Sequence, residues 1–227
     1  MSAIICVVFD LDGTLIDSAP DLHAALNTVL TGRGKRLLSL AEVESIVGDG
    51  AAMLVRKALA LVDAAPLAAV TDDAVAALTP PFLTAYGACA DDLTRAYPGV
   101  AETLARLAAA GRVLAVCTNK PEALTRHILA HLDLGRYFAA VIGGDSLNGI
   151  RKPDPRHLLA AVSAIGGTPA ETAMVGDSIN DVAAARAAGV PVIVRAGGYS
   201  RVAAEQLGAD AIIGDFAELP EALARLT

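Results

Sequence analysis

The hydrophobic positions of this chain fall into two rhythms. Short apolar runs recur at 4–9, 113–117, 139–142, 173–175, 190–194 and 211–213. They are apolar on both faces and several are β-branched, which predicts buried parallel strands. Helical patterns lie between them, at 99–110, 121–132, 155–165 and 180–188. Strand and helix in alternation imply right-handed crossovers, and therefore a doubly wound parallel sheet of the α/β class.

From about residue 18 to 92 the rhythm changes. Helical periodicity covers 19–30, 40–47, 51–62 and 72–90, with no clear strand among them. This predicts an all-helical insert between the first strand and the rest of the sheet. Tyr97-Pro98-Gly99 marks its exit. The expected organisation is a core of 1–17 and 96–227 carrying a helical cap of 18–95.

Composition narrows the function classes. With 227 residues, the chain suits a medium domain with a smaller insert, and 54% hydrophobic residues suffice for a sizeable core. Aromatics are only 4% and Trp is absent, which argues against a base-stacking surface. The formal net charge of -7 and the lack of a basic stripe argue against a nucleic-acid partner. Cys6, Cys89 and Cys117 form no CxxC and read as small hydrophobes in a reducing compartment. The first residues lead directly into a strand, without an export pattern, and no long apolar stretch is free of charge. No export, no membrane partner and a cytoplasmic location are therefore expected.

Four segments carry the candidate chemistry: Asp10-Leu11-Asp12-Gly13-Thr14, Cys117-Thr118-Asn119-Lys120, Arg151-Lys152-Pro153-Asp154 and Gly176-Asp177-Ser178-Ile179-Asn180-Asp181. Three begin where an expected strand ends; the Lys152 segment follows a loop and opens a helix. Ligands of open parallel sheets bind outside the carboxyl ends of the strands, so distant segments should converge there. Asp10, Asp12 and Asp177 would repel one another in a dry crevice unless a cation sat among them. Hard oxygen ligands suit Mg²⁺. Lys152 adds positive charge, Thr118 a hydroxyl, and the backbone amides after Asp10 and Thr118 can face a bound anion. Together these parts suit phosphoryl transfer. Asp10 would be the nucleophile, forming an aspartyl-phosphate, and Asp12 the general acid and base.

On these motifs the chain resembles the haloacid dehalogenase-like hydrolase superfamily. Asp10 to Leu15 resembles its first motif, Thr118 its second, Lys152 its third, and Gly176 to Asp181 its fourth. The resemblance implies a Rossmann-like core with Asp10 and Asp12 in the roles above. It implies Mg²⁺ held by Asp10, Asp177 and the backbone carbonyl of Asp12. Phosphate would be held by Thr118 and Lys152, with Leu11 and Asn119 beside them. Asp181, with Ser178 in the same motif, would orient Lys152 or a metal-bound water. The helical insert matches the lid that follows motif one in one subfamily.

Further segments, among them Asp17 to Leu22, Val47 to Ala51 and Val141 to Asp145, resemble the bacterial phosphoglycolate phosphatases. Arg195 to Ser200 departs from the Tyr-Gly-Tyr-like segment common there. The implied substrate is a small anionic phosphate ester, foremost 2-phosphoglycolate. A sugar-phosphate phosphatase, a phosphoglucomutase and a phospho-acceptor signalling module are the alternatives. Gly48 and Gly50 open an expected helix whose free amides could receive a substrate carboxylate, with Arg56 assisting. Lys120 follows Asn119 closely enough to touch substrate, and a solvated helix start is the favoured reading. His127 and His131, at i and i+4, have no Glu or Cys nearby in sequence to complete a metal site. The chain is expected to act as a monomer or homodimer.

Overall fold

The fold was obtained as a computed structural model that describes residues 3–226. The outermost positions of the expected core, 1–2 and 227, lie outside the described residues. In chain order the strands are β1 (Cys6–Phe9), β2 (Ile16–Asp17), β3 (Arg95–Ala96), β4 (Val113–Cys117), β5 (Phe138–Ile142), β6 (Thr172–Gly176), β7 (Val192–Arg195) and β8 (Ala211–Ile213). Six of them form one sheet in the order β5-β4-β1-β6-β7-β8, and every pairing in it is parallel.

The central strand explains why both faces had to be apolar. Val7 and Phe9 pack on one face with Leu114, Val116 and Val175. Val8 packs on the other with Ala115, Cys117 and Met174. Val7, Val8 and Phe9 are fully buried. On the first face lies α5 (Val100–Ala109), through Leu104 and Leu107. On the second lie α7 (Pro155–Ala164) and α8 (Ile179–Ala188), through Leu158, Val162 and Val182. From β1 the sheet grows outward through β4 to β5, then restarts at β6 on the other side of β1. That reversal opens a crevice at the carboxyl end of β1.

Between β2 and β3 the chain is helical: α1 (Ala19–Thr31), α2 (Leu40–Glu44), α3 (Ala51–Val62) and α4 (Asp72–Gly87). Two of these stop short of the expected 47 and 90. Beyond α4 a run of turns leads into β3. β2 and β3 had no visible pattern, because two residues are too few to show a period. They pair antiparallel, Ile16 with Ala96 and Asp17 with Arg95, so the insert is entered and left through adjacent chains. The last helix, α9 (Leu219–Arg225), was likewise unforeseen.

Two polar clamps hold this crossing. Asp21 is buried on α1, and its carboxylate accepts from the amides of Leu93 (3.0 Å) and Thr94 (2.8 Å) and from the Thr94 hydroxyl (2.7 Å). Tyr199 donates its hydroxyl proton to Asp17 (2.6 Å) and accepts from the amides of Ser18 (2.8 Å) and Ala19 (2.9 Å). Replacing Asp21 by Ala strands three donors at once, the two of Thr94 being buried. The expected cost is about 3 kcal/mol of stability, measured by urea unfolding, with Asp21→Asn costing less because an acceptor remains.

Candidate active site

The sheet delivers the motif residues to one mouth. The Asp10 amide donates to the Val175 carbonyl (2.9 Å), so the β1 ladder runs one residue past the strand before the side chain emerges. Thr118 does the same beyond β4, donating to Ile142 (3.0 Å). Asp177 follows β6, and Lys152 arrives from the loop before α7. Gly13 turns the chain back at φ +81°, and a Cβ there would lie 2.5 Å from an Asp177 carboxylate oxygen. Only glycine fits that turn.

Charge is concentrated here and buried. Lys152 Nζ lies 2.8 Å from Asp10 Oδ1 and donates to Asp181 Oδ1 (2.7 Å), with 2% of its side chain exposed. Burial opposes the ammonium charge, but Asp10 and Asp181 outweigh it and hold Lys152 above its ordinary range. Burial pushes Asp10 up to about 6, with Lys152 pulling the other way. Asp177 is raised as well, by burial first and then by Asp181 and Asp10.

One carboxylate oxygen from each of Asp10, Asp177 and Asp181 can be chosen so that all three lie within 4.8 Å of one another. A hard divalent cation fits this donor set and would relieve the repulsion that raises the acids. Asp181 is the most heavily committed of the three. Its oxygens accept from Lys152, from the amides of Asp177 (3.2 Å) and Ser178 (3.0 Å), and from the Ser178 hydroxyl (2.7 Å). Ser178 and Asp181 thereby cap α8 while orienting Lys152.

Asp12 sits beside this cluster under different control. Its Oδ1 accepts from the Ser18 hydroxyl (2.5 Å), and both oxygens accept from Lys120 Nζ, at 2.7 and 2.9 Å. Lys120 is thus not the solvated helix start that its position suggested: 4% of its side chain is exposed. Burial works against its charge, Asp12 outweighs burial, and the ammonium is held above its usual range. It also lies 4.8 Å from the centre of the Tyr86 ring. Sequence reasoning missed this pair because 108 positions separate its members.

The insert closes over the mouth. Asn119 donates its amide to the carbonyls of Gly48 and Lys152, both at 3.0 Å, tying insert to core. Gly48 and Gly50 line the cavity that also contains Asp10, Asp12 and Thr118. Leu11 is fully buried, so its side chain belongs to the core. Arg56 is elsewhere. Its guanidinium is engaged by the Val70 carbonyl and Asp72, and it lines a separate groove with Arg151. Leu54 faces the cavity, and two residues further on a helix has turned about 200°, which carries Arg56 to the far side. His127 and His131 also find what the sequence did not show. Asp91, from the return loop of the insert, lies 3.1 Å from a ring nitrogen of each.

Residues 4–189 match the family model of the haloacid dehalogenase-like hydrolases. The chain belongs to that family. A phosphoglycolate phosphatase of Agrobacterium fabrum is 43% identical over 95% of this chain and 91% of its own length. One from Cereibacter sphaeroides is 40% identical over 97% and 98%. Among solved structures, a predicted phosphoglycolate phosphatase from Haemophilus somnus superposes with a TM-score of 0.89 at 33% identity, covering 97% of this chain and 98% of that one. The resemblance seen in the four motifs is thus borne out, and with it the α/β fold and an enzyme of the hydrolase class.

The raised carboxyls predict a pH dependence. In metal-free protein the folded state holds protons on Asp10 between 3.8 and about 6 that the unfolded chain has released. Stability should therefore fall as pH rises through that window. Asp177→Asn removes one of the repelling charges and should flatten the fall and raise the melting temperature at neutral pH. Thermal melts across pH 4–8 in chelator check this.

Proposed function

We propose that the chain is a Mg²⁺-dependent phosphatase acting through an aspartyl-phosphate on Asp10, with 2-phosphoglycolate as its foremost substrate. The observation that carries this reading is Asp10 itself. It is a buried carboxylate that pairs with Lys152 and belongs, with Asp177 and Asp181, to an acidic triad that suits a cation, in a cavity also lined by Asp12. The names borne by the relatives supply the substrate.

In this reading an Asp10 oxygen attacks phosphorus as the bond to the leaving oxygen breaks. Asp12 delivers the proton to that oxygen, then takes one from the water that opens the acyl phosphate and frees phosphate and Asp10. Lys152 and Thr118 hold the phosphoryl oxygens, and the backbone amides of Leu11 and Asn119 join them. Mg²⁺, held by Asp10, Asp177 and the Asp12 carbonyl, would offset the charge on those oxygens. Ser178 and Asp181 keep Lys152 in place. Residues 18–95 act as a lid whose closure excludes water. Leu22, Leu54, Phe82 and Leu124 make much of the cavity wall apolar, which favours a short acid over a sugar with many hydroxyls. No helix among the described residues is long and apolar enough to cross a membrane. We place the enzyme in the cytoplasm, as a monomer or homodimer.

A phosphate-release screen with and without Mg²⁺, covering 2-phosphoglycolate and several sugar phosphates, tests the proposal. Chelation should abolish release, and 2-phosphoglycolate should give the highest kcat/KM. Asp10→Asn should lower kcat by about a thousandfold or more; retention of most activity would remove the covalent mechanism. Replacing Gly48 by Val should raise KM for 2-phosphoglycolate, since Gly48 has φ +116° and lines the cavity.

A further inference from the structure

We propose that Tyr86 and Lys120 form the subsite for the anionic end of the leaving group, with the Tyr86 hydroxyl selecting a carboxylate there. The inference rests on the phosphatase reading above and adds the residues that set its specificity.

Tyr86 lies on α4 and is only 2% exposed, and its hydroxyl proton has no acceptor among the described residues; the Lys120 ammonium acts on the hydroxyl oxygen but can only donate. A buried donor without an acceptor bears a desolvation cost, and natural proteins rarely keep one without a reason. The reason here is location. Tyr86 lines the cavity that contains Asp10 and Asp12. Its ring is held by Phe82, one helical turn away, stacked at 5.9 Å with 2° between the planes. Burial pushes the phenol up to about 12, so it stays protonated and able to donate.

Lys120 supplies the charge. Its ammonium sits 4.8 Å from the Tyr86 ring centre and donates to both oxygens of Asp12. An ammonium has three protons, so beyond Asp12 one is left for the Tyr86 hydroxyl oxygen or a ligand acceptor. The nearby walls, Leu22, Leu54, Phe82 and Leu124, offer no competing polar group. Among the described residues one other buried side-chain atom on this cavity is unpartnered, Asn119 Oδ1, but it is an acceptor and cannot bind a carboxylate. The subsite therefore suits a short phosphate ester whose leaving group ends in a carboxylate. An end without an acceptor would leave the hydroxyl proton unmet.

The test compares 2-phosphoglycolate with ethyl phosphate, which has a similar length and no carboxylate. Both are assayed with Mg²⁺ in the wild type, in Tyr86→Phe and in Lys120→Met. Tyr86→Phe should lower the ratio of kcat/KM, acid over neutral ester, by about tenfold or more, chiefly through KM for the acid. Its melting temperature without substrate should hold or rise, because an unsatisfied group has been removed. Lys120→Met should slow both esters, since Asp12 loses its partner, and should slow the acid more. A ratio unmoved by Tyr86→Phe, or a melting temperature that falls by several degrees, overturns the assignment of Tyr86. Equal losses on both esters in Lys120→Met overturn that of Lys120. If the wild type releases phosphate from both esters while the ratio stays fixed in the variants, only the subsite fails. If the wild type releases phosphate from neither, the phosphatase reading itself fails.

Discussion

The buried ammonium of Lys152, between Asp10 and Asp181, is the contact on which the site depends. Without it, carboxylates gathered at the end of the sheet would repel one another in a low-dielectric crevice. A buried ion pair of this kind is a weak source of stability, because desolvation offsets most of the attraction. Its presence points to chemistry. The lysine keeps the proton balance of Asp10 within reach of neutrality, where a carboxylate can act as a nucleophile. Asp181 and Ser178 explain how the ammonium is kept in place, since the cap of α8 doubles as its anchor.

The second acid of motif one is governed separately. Asp12 is held by Ser18, at the entry to the insert, and by Lys120, from the loop after β4. Two carboxylates two residues apart thus meet different cations. Asp10 faces the sheet edge and its lysine, while Asp12 faces the insert. In the function proposed above this division separates two roles, attack by Asp10 and proton transfer by Asp12. It also ties the insert to the site, because Ser18 stands at its first crossing and Tyr86, against Lys120, on its last long helix.

That coupling needs a defined crossing. Asp21 and Tyr199 provide it with hydrogen bonds that join residues over 70 or more positions of chain. Tyr199 lies in the segment that departs from the common family pattern, yet its hydroxyl reaches Asp17 and its amide donates to Asp177 (2.7 Å). One residue thereby links the entry to the insert with the acidic cluster. Arg195, the first residue of this segment, stacks on Tyr97 at 3.6 Å and donates to the Gly13 carbonyl (3.0 Å), so the same region buttresses the turn after Asp10.

The sequence by itself determined the six strands of the main sheet, most of the helices and the mouth at which the four motifs meet. Those features are local: an apolar run, a helical period, a glycine turn at a strand end. Parallel order followed from alternation, and the convergence of Asp10, Thr118 and Asp177 from the rule that ligands bind at carboxyl ends. Tertiary structure alone decided which charges pair. Lys120 reads as a solvent-facing lysine until folding puts Asp12 and Tyr86 against it. Arg56 reads as a substrate contact until the phase of α3 turns it toward Asp72. Asp91 joins His127 and His131 only because the return loop of the insert passes over α6 (Glu122–His131). Hydrophobic periodicity records whether a position faces inward, and carries no information on which distant polar group it will meet there.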